Sequence, residues 1–517
     1  SRYVNVSTLA TPGWSLDKYR MESYFGRANY IYNDKYYLSG SLRADGSSKF
    51  MKNKWGTFWS VGGGWRISSE SFMKQFSGWL DNAKIRASYG VIGDQSNISG
   101  YYTNHTWSYG VSTWNQVSNG TGTAKDYSIG YGGLVNEELT WETAHTLDAG
   151  LDFSLFNSRI TGTIDVYNRE TVNSFYNEPV SYLANAGAQT RQRNSAKLRN
   201  RGFELELAGD IVRTKDWTVN LALNGTHYTT TLVSVPSSTI PAWTETSDLP
   251  KGTWMANGEG WSSTGAGNTS FTFYLRGEGR PWYNIYLYKY AGVDQTSGLP
   301  MYWHRVTAND VKKGNYSGYK QGESVKTTKN SDASFYEVGD ALPKWIGGFT
   351  TSVRYKDFDF QAIIAYQLGG KFFSTEYANG LYRSNEMDVS NMEAPSKDLI
   401  GNTWSPENTG AKFPMQWWNT SYYDGATFGS WKYTDMSLFS ASYMRVKNIT
   451  LGYTLPNKYL QKAYISKMRV YASADNLIFL SAKKGVDPSM ALTGGFNVGQ
   501  YIYPTMQTIS LGVSLDF

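Results

Sequence analysis

The chain has 517 residues, of which 16% are aromatic (40 Tyr, 19 Trp), with 52 Gly, 14 Pro, no Cys and a formal net charge of +6. Absence of Cys excludes disulfide frameworks and thiolate metal sites. A mild charge, its basic residues interleaved with acids, argues for solvated surface and against a nucleic-acid partner. No run approaches the roughly 18 apolar residues of a transmembrane helix. Mean hydropathy is −0.47, which still allows a membrane β-barrel, because alternate barrel residues face a polar lumen. The opening Ser1-Arg2-Tyr3-Val4-Asn5 has no apolar signal-peptide core, so the chain is expected either to be a mature start or a piece of something longer.

Excess Tyr, Trp and Gly suits strands joined by turns, since aromatics favour pleated, half-buried surfaces. In chain order, period-two alternation predicts about 13 strands, at 20–32, 35–44, 55–68, 83–92, 143–156, 159–169, 201–212, 216–229, 347–356, 358–369, 443–455, 467–480 and 504–517. Trp55, Thr57, Trp59, Val61, Gly63, Trp65 and Ile67 share one face of the third. Leu147, Ala149, Leu151, Phe153 and Leu155 oppose Asp148, Gly150, Asp152 and Ser154. After a tight Asn157-Ser158 turn, Ile160, Gly162, Ile164 and Val166 oppose Thr161, Thr163, Asp165 and Tyr167, the pattern of a hairpin. Phe203, Leu205 and Leu207 alternate with Glu204 and Glu206. Near Asn448 the parity slips, from Met444/Val446 to Ile449/Leu451, which predicts a β-bulge. In the last strand Ile509, Leu511, Val513 and Leu515 alternate with Ser510, Gly512, Ser514 and Asp516.

A soluble sandwich alternates as well, but two features favour a membrane barrel. The strands reach about ten residues, as a tilted bilayer-spanning strand requires. Short connections (Asn33-Asp34, Asn157-Ser158, 213–216, Lys356-Asp357) also alternate with long ones, at 92–140, 170–200, 231–345, 371–441 and 481–503. Short periplasmic turns opposite long extracellular loops are the barrel pattern. The all-β reading is therefore a transmembrane antiparallel barrel wall occupying 1–517. The Leu147/Leu151/Phe153/Ile164/Leu511/Val513/Leu515 face is expected to meet lipid, and Asp148, Asp152, Asp165 and Asp516 the lumen. The last strand descends from a long loop, placing Phe517 at the periplasmic rim. Counting back, the first strand descends too. Single-chain bacterial barrels have even strand numbers, so the odd count predicts that a further segment completes the wall.

Seven blocks resemble consecutive blocks of SusC/RagA-type TonB-dependent transporters: 36–50 (YYLSGSLRADGSSKF), 55–73 (WGTFWSVGGGWRISSESFM), 83–95 (AKIRASYGVIGDQ), 288–302 (YKYAGVDQTSGLPMY), 339–349 (GDALPKWIGGF), 443–457 (YMRVKNITLGYTLPN) and 468–481 (MRVYASADNLIFLS). They occur in family order from about residue 20 to Phe517. The resemblance implies the C-terminal half of an outer-membrane importer, its 22-stranded barrel plugged and capped by a SusD-like lipoprotein. Its cargo is oligosaccharide or peptide, and TonB-ExbB-ExbD drives it. Plug, TonB box and roughly the first nine strands are absent here, so the implied partners are the N-terminal half, the SusD-like lipoprotein, TonB-ExbB-ExbD and outer-membrane lipid. A diffusion porin and a surface adhesin are the rivals. A companion plug separates an importer from a porin.

Enzymatic chemistry finds little footing, and no cofactor is called for. The four histidines, His105, His145, His227 and His304, lack metal-binding spacing. No nucleophile elbow or phosphate-binding loop occurs, and 294–298 (DQTSG) departs from a calcium loop. The long loops carry Trp107, Tyr109, Trp114, Trp243, Trp254, Trp261, Trp417, Trp418, Tyr422 and Tyr423. Their rings suit loop packing or partner contact first, and sugar stacking second. Of these, Trp107, Trp114, Trp254, Trp261, Trp417, Trp418, Tyr422 and Tyr423 are the candidate substrate contacts. Trp55, Trp59, Trp65, Trp141 and Tyr167 are expected in the interfacial girdles.

Overall fold

The strands form one antiparallel sheet of 13 in unbroken chain order. The computed structural model describes residues 18–98, 107–111, 127–131, 136–179, 190–240, 249–257, 273–381, 395–416, 428–460, 464–490 and 505–517. The strands are β1 (Met21–Tyr32), β2 (Tyr36–Ser47), β3 (Trp55–Trp65), β4 (Leu80–Asp94), β5 (Glu142–Leu155), β6 (Ile160–Pro179), β7 (Thr190–Arg213), β8 (Trp217–Ser234), β9 (Trp345–Tyr355), β10 (Phe358–Leu368), β11 (Tyr443–Thr454), β12 (Lys467–Ser481) and β13 (Thr508–Asp516). All thirteen predicted strands are present. The predicted bulge is present too: the register shifts between Val446 and Asn448 and, on the other side, between Ile363 and Ile364.

Local chemistry sets the tight turns. Asn33 and Asp34 hold φ of 50° and 54°, the left-handed pair that a two-residue hairpin turn demands, and Lys35 N–H donates to Tyr32 O at 3.0 Å. Phe156, Asn157 and Ser158 are likewise left-handed. One expectation fails: 170–200 is not an open loop, because most of it is paired. β6 and β7 run on as a ladder through Pro179↔Thr190, with register shifts at Thr171/Ser174 and Ser174/Phe175. Such strands exceed the roughly 9–11 residues that cross a bilayer, so this hairpin stands clear of it.

One face of the sheet is apolar and open. On β5 it is Leu147 to Leu155 by twos, with His145 beyond; on β6, Ile160 to Val166, then Asn168 and Glu170; on β7, Phe203 to Ile211, with Arg201 and Arg199 beyond. The apolar stretch is thus about nine residues tall, the span of hydrocarbon for a tilted strand. Aromatics edge it on both sides, as interfacial girdles do. At the long-loop end Tyr24 meets Trp55, Trp59 meets Tyr89, and His227 meets Trp345. At the short-turn end Tyr32 meets Tyr36, Trp65 meets Phe72, Trp217 meets Tyr355, and Phe358 meets Tyr453. Trp55, Trp59 and Trp65 therefore sit where expected. Two girdle assignments are corrected. Trp141 is buried among Phe50, Phe58, Ile98 and Leu139, its Nε1 donating to Lys54 O at 3.1 Å. Tyr167 shares the Asp165 face, and its ring lies over Gly202 on β7.

Within the described residues β1 pairs only with β2 and β13 only with β12, so the sheet is an open, partial barrel. With thirteen alternating strands, β1 and β13 run in the same direction.

Candidate functional site

The opposite face is polar and carries side chains of both signs. Its most connected group is Arg86 on β4. The guanidinium donates from Nε to Asp152 Oδ1 (3.3 Å), from Nη1 to Asp148 Oδ1 (3.2 Å) and from Nη2 to Asp165 Oδ2 (2.7 Å). The first two carboxylates stand on β5 and the third on β6, so one cation ties three strands. Gly150 makes this possible. It pairs with Arg86 on one side and Asp165 on the other, and a Cβ there would lie 2.2 Å from Asp165 Oδ1 and 2.7 Å from Arg86 Cζ. The device recurs at Gly452, across which Arg469 on β12 donates from Nε to Asp359 Oδ1 on β10 at 2.9 Å.

Removing the cation leaves three carboxylates facing one another. Arg86→Ala is expected to cost about 1–3 kcal/mol, the scale for losing hydrogen bonds to a charged group. Gly150→Val should match it by driving Arg86 and Asp165 apart. In a denaturant-unfolding cycle, Asp165→Asn should add little to Arg86→Ala; full additivity would show that the pair is uncoupled.

Two recesses open on this face. One, of about 430 Å³, is lined by Arg27, Tyr37, Ser39, Lys84, Arg86 and Asp148, among others. In it Lys84 Nζ sits 4.3 Å above the Tyr37 ring. The other, of about 670 Å³, includes Ser41, Arg43, Asp45, Ser60, Asp94 and Gln95. Such walls present hydrogen-bond donors and acceptors on the polar face of the sheet.

At the long-loop end, the described parts of the 235–344 and 369–442 excursions build a folded subdomain. It contains a four-stranded sheet, a three-stranded sheet and a two-stranded one. One of its cores groups Tyr274, Ile285, Leu287, Ala341, Phe373 and Ala378; a second groups Tyr302, Leu381, Phe413 and Trp431. These short strands were not legible in sequence, because at three to six residues each is too short to display a period-two pattern, and two of the pairings, Asn284–Tyr288 with Phe335–Asp340 and Lys371–Phe373 with Leu438–Ser440, join distant segments. A Ser-His-Asp chain also lies here: Ser334 Oγ is 3.4 Å from His304 Nδ1, and His304 Nε2 is 3.0 Å from Asp310 Oδ2. Ser334 and His304 are both buried, and Ser334 Oγ accepts the Arg305 N–H at 2.9 Å. The chain props the fold and offers a substrate no approach.

Asp310 also closes a capping box with Thr307 on the short helix Ala308–Lys313. Burial alone would raise its carboxyl. The Thr307 hydroxyl and N–H, then His304 and Asn315, outweigh burial and hold it down at about 2. A depressed carboxyl stabilises fully above its unfolded value, near 4, and that contribution is lost as pH falls towards 2. Proteolytic nicking of 307–323 should therefore rise over that window, and Asp310→Asn should nick readily at every pH. A nicking rate indifferent to pH in the unsubstituted protein would refute the assignment.

Of the candidate substrate contacts, Trp254 is buried against Ala196, Leu232 and Val235 at the foot of the β7–β8 ladder extension. Its described role is packing. Trp107 lies on a short strand, Trp107–Val111, paired with Tyr127–Tyr131. Trp114, Trp261, Trp417, Trp418, Tyr422 and Tyr423 lie outside the described residues, as does Trp243. What sequence reading missed was Arg86. The three aspartates were expected on the inner face, but their common cation lies more than fifty residues away along the chain.

A sheet with an apolar belt outside, ion pairs inside, short turns at one end and a folded loop mass at the other is the wall of an outer-membrane β-barrel. Residues 2–372 match the family model "TonB dependent receptor-like, beta-barrel", and the chain belongs to that family. It is 30% identical over 502 residues to the TonB-dependent receptor SusC of Bacteroides thetaiotaomicron, covering 96% of this chain and 43% of that protein. It is 27% identical over 517 residues to a TonB-dependent receptor of Formosa agariphila, covering 98% and 46%. Among solved structures, the RagAB peptide transporter superposes with a TM-score of 0.74 at 25% identity, over 99% of this chain and 49% of that one. The RagAB peptide importer in its open-open state superposes with a TM-score of 0.75 at 23% identity. The chain thus spans about half the length of the relatives it matches. Members of this family are outer-membrane β-barrels, and the relatives named here are receptors and transporters.

Proposed function

We propose that this chain forms the wall and cell-surface loops of a TonB-dependent importer for an oligosaccharide or peptide. The short-turn end with Phe517 faces the periplasm, and a SusD-like lipoprotein covers the long-loop end. A second segment, bringing a plug and an odd number of strands, completes the barrel and connects to TonB-ExbB-ExbD. The main support is likeness over nearly the whole chain, to SusC at 30% identity and to a peptide transporter at 25%. The open edges agree with it. Joining β1 to β13 directly would place parallel neighbours in an antiparallel wall. Leaving both edges bare in lipid costs several kcal/mol per unpaired backbone group.

The test is to purify the protein from its native outer membrane in mild detergent and identify what accompanies it. A deletion strain is then grown on glycans or on peptides as sole nutrient. Loss of growth on one class, together with a co-purifying lipoprotein, is the expected result. Unchanged uptake of both classes would leave the adhesin reading standing. Uptake that persists without TonB would favour the diffusion porin.

A further inference from the structure

Four connections at the short-turn end take two to four residues: 33–35, 156–159, 214–216 and 356–357. Two are longer, 455–466 and 66–79. The second, from β3 to β4, is tied down along its length. Two 3-10 turns, Ile67–Ser69 and Ser71–Phe76, follow one another in it. At one end Arg66 N–H donates to Lys35 O (2.7 Å), and at the other Trp79 O accepts the Phe156 N–H (2.8 Å), so a neighbouring turn holds each end. Glu70 fixes the middle. Its carboxylate accepts from the Tyr36 hydroxyl (2.8 Å), Trp65 Nε1 (3.2 Å) and Lys35 Nζ (3.2 Å).

Those partners set the direction in which the segment leans. Trp65 pairs with Ile85, and Ile85 with Leu151, so Trp65 belongs to the apolar outer face. Tyr36, its pair on β2, shares that face. Phe72 meets the Trp65 ring edge-on at 6.4 Å, which carries the segment to the outside of the wall at the short-turn edge of the belt. There Phe72 stays 56% exposed and Trp79 45%, with the Phe76 ring 6.0 Å from Trp79. Ser71, Lys74, Gln75 and Ser77 are exposed between them. A link that only had to join two strands in water needs neither this length nor these rings. Large apolar side chains held open beside an apolar belt mark a contact surface.

We propose that 66–79 is a foot lying in the headgroup layer of the bilayer at the short-turn end. The Phe72 and Trp79 rings rest at the edge of the hydrocarbon, and Lys74 turns towards the headgroups. The bilayer is the occupant because the surface continues the lipid-facing belt through the contact of Phe72 with Trp65. Aromatic rings settle at that depth, and a lysine stem spans from it to water. A short segment seated this way resists both sinking and lifting of the wall, since either move takes rings into water or polar groups into hydrocarbon.

The test uses the complete transporter in phosphatidylcholine vesicles, spin-labelled at Phe72→Cys, Trp79→Cys, Lys215→Cys or Val166→Cys, one position at a time. The chain has no Cys of its own, and the unsubstituted transporter supplies the blank. Heat-modifiable mobility on a detergent gel confirms that each variant is folded. Access of dissolved oxygen, which concentrates in hydrocarbon, is compared with access of a water-soluble nickel chelate. Labels at 72 and 79 should lose most of the nickel access found at Lys215, exposed on the 214–216 turn. Their oxygen access should approach that of Val166, exposed within the belt. Labels as open to nickel as the one at Lys215 would put the foot in water and overturn the proposal. Labels shielded from both probes would overturn it too, because protein and not lipid would then cover the rings. If one of the two foot variants fails to fold, the other carries the reading.

Discussion

Replacing Trp431 with alanine is expected to loosen the loop subdomain by about 3–5 kcal/mol, the range for a fully buried large aromatic, while the barrel wall stays intact. Trp431 is fully buried and joins two excursions. Tyr302 and Tyr290 come from the first; Leu381 and Phe413 come from the second. Its ring centroid lies 6.2 Å from Tyr290 and 6.1 Å from Phe413. Truncation opens a cavity where the excursions meet, and neither can collapse to fill it without losing contact with the other. Limited proteolysis in rising denaturant reads the subdomain, and heat-modifiable mobility on a detergent gel reads the barrel. The expected result is earlier cleavage of 273–344 and 395–416 at an unchanged barrel transition. A shift of both transitions together would show that wall and subdomain unfold as one unit.

The second large effect separates the two faces of a single strand. Ala472 and Ser473 are adjacent on β12 and so lie at nearly the same depth. Ala472 stands in a row with Leu451 and Leu511, and Ser473 in a row with Thr450 and Ser510. Ala472→Arg is expected to cost about 2–4 kcal/mol, as for a charge held in hydrocarbon near mid-membrane. Ser473→Arg should cost little, since its side chain enters a polar interior with Asp475 two residues along on the same face. The measurement is reversible unfolding of the complete transporter in lipid vesicles. Equal losses at the two positions would contradict the assignment of faces.

Much of the wall was legible in sequence because barrel strands obey a local rule. One side faces hydrocarbon and the other water, so a strand such as β13 shows Ile509, Leu511, Val513 and Leu515 against Ser510, Gly512, Ser514 and Asp516 without reference to any neighbour. The bulge at Asn448 was legible for the same reason, as a break in parity. Where a strand leaves the membrane, that rule lapses. Residues 170–200 read as a loop because Glu170, Arg199 and Lys197 break the apolar pattern, yet backbone pairing continues, with Arg199 and Lys197 both on Glu170. Trp141 and Tyr167 were misplaced because an aromatic near a strand end looks the same whether it meets lipid, a loop core or a glycine on the next strand.

The sequence by itself determined the number of strands, their order and the alternation of faces. Each follows from chain-local periodicity under a two-solvent constraint. The tertiary structure alone decided that Arg86 gathers Asp148, Asp152 and Asp165 across Gly150. It also decided that two long excursions share the Trp431 core and that His304 is buried on Asp310. Those arrangements depend on which distant segments become neighbours. Long-range contacts of that kind are set by register and closure of the whole sheet, and no local pattern in the chain encodes them.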